Sequence, residues 1–269
     1  MTTAALCAAF GRQPRPLQEP QATTAHNPAL LIWGVSFVSP LLANVYLHYV
    51  FDLWADQWRR RHARGDVILT RFADDYVAGF QHRDDAERFL ADLRGRLATF
   101  GLELASEKTR LIEFGRFAAE RRQKRGLRKP DTFEFLGFTH ICAKDRHGRF
   151  QLKRVTSKKK MRSKLHALKV ETRRRMHLPI PDQGRWLARV LQGHYNYYAV
   201  PGNGKALHGY REQVIRHWRH ALRRRSQKGR ITRARAVRLA QRWLPPPLIL
   251  HPWPSARFDA RTQGKSPVR

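Results

Sequence analysis

Residues 68–80 read I-L-T-R-F-A-D-D-Y-V-A-G-F, and the fold turns on them. An apolar stretch enters the pair Asp74–Asp75 and a second apolar stretch leaves it, the pattern of two short strands joined by a tight turn. Two readings compete for the pair. Asp favours turns for local reasons, because its carboxylate bonds nearby backbone amides. Two adjacent carboxylates on a hairpin tip also project together, a donor set suited to divalent cations handling phosphates. The choice between them depends on the rest of the chain.

Working outward, the sequence predicts an amphipathic helix to about Arg61, opened by Ser39 as cap and Pro40 in the first turn. Leu41, Leu42, Val45, Tyr46, Tyr49, Val50, Leu53 and Trp54 recur at helical spacing and form its expected core face. A second helix is predicted over 83–99 with Ala86, Phe89, Leu90, Leu93 and Leu97 inward, stopped by Gly101. Short strands are expected at 103–105 and 109–114. Residues 116–130 form a basic connector. Phe133 to Ile141 has strand composition, and Asp145 to Gly148 turns the chain into a return strand at 150–155. Helices are predicted at 157–176, 182–198, 205–226 and 232–243, punctuated by Pro179, Pro181, Pro201 and Gly202. Ahead of all this, residues 1–32 mix Ala, Thr, Gln and Pro without periodicity and read as disordered.

The chain has 269 residues, 42% of them apolar, enough for a substantial core. Its net charge of +32 is unevenly placed. Residues 1–115 hold 13 basic and 13 acidic groups, whereas residues 116–269 hold 40 basic and 8 acidic ones. A neutral module is therefore followed by a polyanion-binding one. Nucleic acid fits best, since arginine forks suit phosphates and counterion release rewards many contacts. A membrane fits poorly: the basic segments lack a long apolar run, and no stretch has the length of a spanning helix. Cys7 and Cys142 have no partners at zinc-like spacing, so neither a disulfide framework nor a structural zinc is expected. The run Ala4 to Phe10 lacks a preceding basic stretch and makes a poor secretory signal, which places the chain in a reducing cytoplasm.

Four ordered motifs carry a resemblance. They are V-S-P-L-L-A-N-V-Y-L (38–47), F-A-D-D (72–75), G-L-E-L-A-S-E-K-T-R (101–110) and F-E-F-L-G-F (133–138). Together they resemble the palm of group II intron-encoded reverse transcriptases. The stretches L-Q-G-H-Y-N-Y-Y-A-V-P-G-N (191–203) and R-R-R-S-Q-K-G-R-I-T (223–232), with Trp218 between them, resemble that family's thumb and maturase region. The resemblance spans about 35–254. It implies an α+β fold: a partial reverse-transcriptase palm, with an antiparallel sheet and helices, over 33–141. A connecting hairpin at 142–156, an all-helical basic thumb/maturase module at 157–254 and a disordered tail at 255–269 complete the implied order.

The resemblance further implies RNA-directed DNA polymerase chemistry, in which paired Mg2+ ions stabilise the attacking and leaving oxygens. Asp74 and Asp75 then carry the catalytic and metal roles, with Phe72, Ala73, Lys108, Leu136 and Gly137 near nucleotide and primer. Lys108 also reads simply as a solvated strand-end lysine, and the rings of 133–138 as buried strand. Arg173, Arg174, Arg175, Arg216, Arg219, Arg223, Arg224, Arg225, Arg230 and Arg233 are the implied RNA-binding cations. Structured intron RNA and an RNA/DNA primer-template are the implied partners, in a cytoplasmic ribonucleoprotein. Tyr195, Tyr197, Tyr198, Trp186 and Trp218 read as helix-packing core, and His194 and His208 as structural.

Departures from the family pattern lower the catalytic expectation. The family takes a third carboxylate from a D-I-x-x-F-F-D motif on an earlier strand, and nothing in 1–32 resembles it; Glu19 is the one acid there. The T-P-Q-G-G-type nucleotide loop is replaced by Ile32 to Phe37, and the fingers have no counterpart. The chain thus reads as an N-terminally truncated, polymerase-deficient member, with an RNA-binding maturase remnant as the alternative.

Overall fold

The computed structural model describes residues 4–12, 40–225 and 231–254. The expected cap Ser39, the loop 32–37, Glu19, Arg230 and the tail from 255 lie outside them. The chain divides into two compact units, one running to Asp131 and one that begins at Thr132.

In the first unit, helix α1 spans 40–61 and contains a π-helical turn at His48–Asp52 before continuing as Leu53–Arg61. Strands β2 (Val67–Phe72) and β3 (Asp75–Phe80) form the expected hairpin, followed by α2 (Arg83–Ala98), β4 (Leu102–Leu104) and β5 (Arg110–Glu113). The alternation along β3, with Tyr76, Ala78 and Phe80 buried, aims one face at the helices. Their core joins Phe51 to Tyr76 with ring centroids 4.8 Å apart, Trp58 to Phe89 at 5.0 Å and Phe80 to Phe89 at 5.2 Å. Trp58 Nε1 donates to Asp92 at 2.7 Å, so its polar end is satisfied. Asp85 is buried at the start of α2, where its carboxylate accepts the backbone N–H groups of Arg64 (2.9 Å) and Gly65 (3.3 Å) and pairs with Arg88.

Three expectations change here. Ala4–Arg12 form a strand, β1, where the sequence predicts disorder across 1–32. β1 sits centrally, antiparallel to β3 on one side and to β4 and β5 on the other. Its Ala-rich sequence carries no strand propensity of its own, and pairing on both sides supplies the missing order. Second, Ala118–Lys124 form a short helix, α3, inside the expected connector. Third, α1 keeps only Val50 and Trp54 of the expected face inward: Leu47, Val50, Phe51, Ala55 and Trp58 are buried and Trp54 packs on the core, while Leu41, Leu42, Val45, Tyr46, Tyr49 and Leu53 are exposed. A helix apolar on nearly every side gives no unique stripe, and the extra residue of a π-turn rotates the downstream helix by about 100°.

The second unit opens with a three-stranded antiparallel sheet, β6 (Phe133–Phe135), β7 (Phe138–Lys144) and β8 (Phe150–Thr156). F-E-F-L-G-F lies in the unit that begins at Thr132, where Phe135 pairs with Phe138 across the turn. Leu136 and Gly137 form the β6–β7 turn, with φ of 49° and 76°, a geometry that matches strand twist. Four helices come next, within a few residues of their predicted bounds: α4 (Lys158–Arg174), α5 (Ile180–Tyr198), α6 (Gly204–Arg223) and α7 (Arg233–Trp243). Leu187, Leu191, Tyr195, Leu207, Tyr210, Val214 and Trp218 fill their core. The P-G-N motif has a structural purpose: buried Asn203 accepts the Thr156 amide (3.0 Å) and donates to Thr156 Oγ1 and the Tyr198 carbonyl (2.8 Å each). Among the described residues, no helix is long and apolar enough to cross a membrane.

Candidate active site

The β2–β3 loop contains just Ala73 and Asp74, because Phe72 pairs directly with Asp75. A two-residue hairpin requires positive φ at its first loop position, and Ala73 adopts 52°. That conformation costs a non-glycine residue on the order of 1 kcal/mol, so neighbouring groups must hold it. Arg71 does so: its Nη1 donates to the Ala73 carbonyl (2.9 Å) and to Asn44 Oδ1 (2.9 Å). Its Nε and Nη2 fork onto Asp52 at 2.7 and 2.6 Å. Burial pushes the Asp52 carboxyl up, but the Arg71 bonds and charge, with His48, outweigh it and hold the carboxyl below its ordinary value. The bonds to Asp52 raise the Arg71 guanidinium in turn, against a smaller opposing effect of burial. The π-turn ends at Asp52, which connects the irregular helix to the loop through one ion pair.

Sequence reasoning singled out the loop and missed this clamp. The available signal was Asn44, the last residue of S-P-L-L-A-N, together with an arginine immediately ahead of F-A-D-D. A buried fork is legible only when its acid, Asp52, is placed nineteen residues away.

Phe72, Ala73, Asp74 and Asp75 are all exposed at the tip. β1 brings Ala8 opposite Tyr76 and Ala9 opposite Asp75, and no residue of β1 is acidic. Among the described residues no three of His, Cys, Asp and Glu gather to hold a metal ion. A paired Mg2+ site needs carboxylates from both sides of the bound oxygens, so the donor set at this loop does not fit one.

Lys108 sits exposed on the turn between β4 and β5. Strand register places that turn at the aspartate end of the sheet: Phe10 pairs with Leu104, Cys7 with Arg110, and Ala9 with Asp75. Two strand spacings, roughly 10 Å, separate the turn from β3. Leu136 and Gly137 belong to the second unit, where Tyr197 Oη donates to the Leu136 carbonyl (2.8 Å) and the Ser157 amide to that of Gly137 (2.9 Å). Their visible role is structural.

In that second unit Arg173, Arg174, Arg216, Arg223, Arg224 and Arg233 are exposed. Besides Arg174, which lies 3.8 Å from Glu171, three predicted cations are engaged within the fold. Arg175 pairs with Glu171 (2.7 Å) and lies over Trp186, Arg219 donates to the Ile231 carbonyl (3.1 Å), and Arg225 donates to that of His177 (3.4 Å). Lys158, Lys159, Lys160, Arg162 and Lys169 on α4 were not singled out from sequence, yet all are exposed. Cations in the first turn oppose the helix dipole, so the K-K-K run gains nothing from helix formation and suits an external polyanion. Trp218 donates to Gln183 at 2.9 Å from a buried position, as a core residue should.

No curated protein sequence matches the chain. Residues 36–140, from just ahead of the S-P-L-L-A-N segment into β7, match the family described as reverse transcriptase (RNA-dependent DNA polymerase).

Proposed function

We propose that the chain is a group II intron-type reverse transcriptase/maturase that binds intron RNA and does not polymerise by its own residues. The observation that carries this reading is the acid-free strand β1 beside the F-A-D-D hairpin. A reverse-transcriptase domain implies nucleic-acid binding, and the 40 basic groups after residue 115 supply the phosphate contacts. Structured RNA is favoured over duplex DNA as partner, since grouped arginines suit irregular backbones and aromatic side chains suit unpaired bases. The proposed setting is a cytoplasmic ribonucleoprotein with intron RNA, where the protein steadies the fold needed for splicing.

Filter binding of structured RNA across a salt series tests the binding half. Affinity should fall by about 10³-fold or more between 50 and 200 mM salt, the loss expected for six or more phosphate contacts. Weak binding at the lowest salt would remove the proposal.

A further inference from the structure

A groove in the helical unit, about 390 Å³, is lined by Lys164, Leu168, Trp186, Val190, His194 and Tyr210. Its floor contains an anomaly. His194 is 2% exposed, and neither ring nitrogen has a hydrogen-bond partner among the described residues. Buried polar atoms are almost always paired, so two unpaired nitrogens on one ring need an explanation. The ring stacks on Tyr210 (centroids 3.8 Å, 14°) and on Tyr198 (4.6 Å, 29°). Burial, and then the charge of Lys164, lower its pKa to about 4, so at neutral pH it offers one donor and one acceptor.

The groove's surroundings narrow the ligand. Lys164, at the rim, stands 4.6 Å over the Tyr198 ring. Its helix, α4, carries the exposed cations Lys158, Lys159, Lys160, Arg162 and Lys169. Glu171, the acid among the lining residues, is already paired with Arg175 and Arg174. An aromatic-walled slot with a donor–acceptor floor, on a helix rich in cations, matches a planar heterocycle attached to phosphates. We propose that this groove receives one unpaired nucleobase of a bound RNA strand, the base edge partnering His194 while α4 holds the flanking phosphates. The proposal rests on the nucleic-acid reading above and adds a base-specific contact to it.

The test compares a short oligouridylate with an abasic ribose-phosphate strand of equal length, by fluorescence anisotropy on the full chain. The base-bearing strand should bind about tenfold tighter at the same salt. His194→Phe, which keeps ring and volume and removes both nitrogens, should reduce that preference several-fold and leave the abasic affinity unchanged. Equal binding of the two strands by the wild type would overturn the groove proposal while the phosphate-binding reading stands. So would a preference unchanged in His194→Phe, including one where both affinities fall in proportion. Failure of both strands to bind would overturn the two readings together.

Discussion

Arg71 is the residue on which the F-A-D-D loop depends. It spans the Ala73 carbonyl, Asn44 and Asp52, and it is mostly buried. Replacing it by Ala leaves Asp52 without its fork and the strained loop without its brace. We expect a loss of about 1–3 kcal/mol of stability in urea denaturation, with Arg71→Lys intermediate because a point charge cannot fork. The pair also has a pH signature. The Asp52 carboxyl is lowered in the fold, so its contribution is complete above the unfolded value near 3.8 and is lost as pH falls through the folded value. Denaturation midpoints below pH 5 should therefore fall less steeply in Asp52→Asn than in the wild type. Parallel curves would show that the fork does not stabilise the fold. The partnered chemistry was only half visible in the sequence, since Asp74 and Asp75 stand out as a motif while Asp52 looks like one more acid on a helix.

At the scale of elements, two hairpins place a non-glycine residue at positive φ, Ala73 in β2–β3 and Leu136 in β6–β7. At Leu136 the hydrogen bond is made to its backbone carbonyl. Leu136→Asn should keep that bond, relieve the strain and raise stability by about 0.5–1 kcal/mol in a thermal melt. Gly137→Ala should do the reverse, because a Cβ there meets Tyr198 Oη at 2.8 Å and φ is 76°. If both variants melt with the wild type, the turn is not the constraint described. Local signals of this kind were readable: the turn residues, helix periodicity and prolines gave the four C-terminal helices nearly to the residue. β1 was not readable, because a run such as A-A-L-C-A-A-F acquires its strand identity from partners more than sixty residues away. The inward face of α1 was hidden by its nearly all-round apolarity and by the π-turn that changes its phase.

The whole molecule joins a unit of mixed helix and sheet, with 20 basic and 15 acidic groups through Asp131, to a unit that carries most of the cation excess. The charge asymmetry was legible in the sequence, although its break near residue 115 falls ahead of the boundary between the units at Asp131. The lack of a third acid was legible in residues 1–32, where Glu19 stands alone, but which strand lies beside the aspartates was not. The register puts Ala8 opposite Tyr76 and Ala9 opposite Asp75. The most direct measurement is RNA-templated primer extension with magnesium, at a protein concentration that saturates the RNA. The account predicts bound RNA and no cDNA. Magnesium-dependent cDNA that disappears in Asp74→Asn would contradict it.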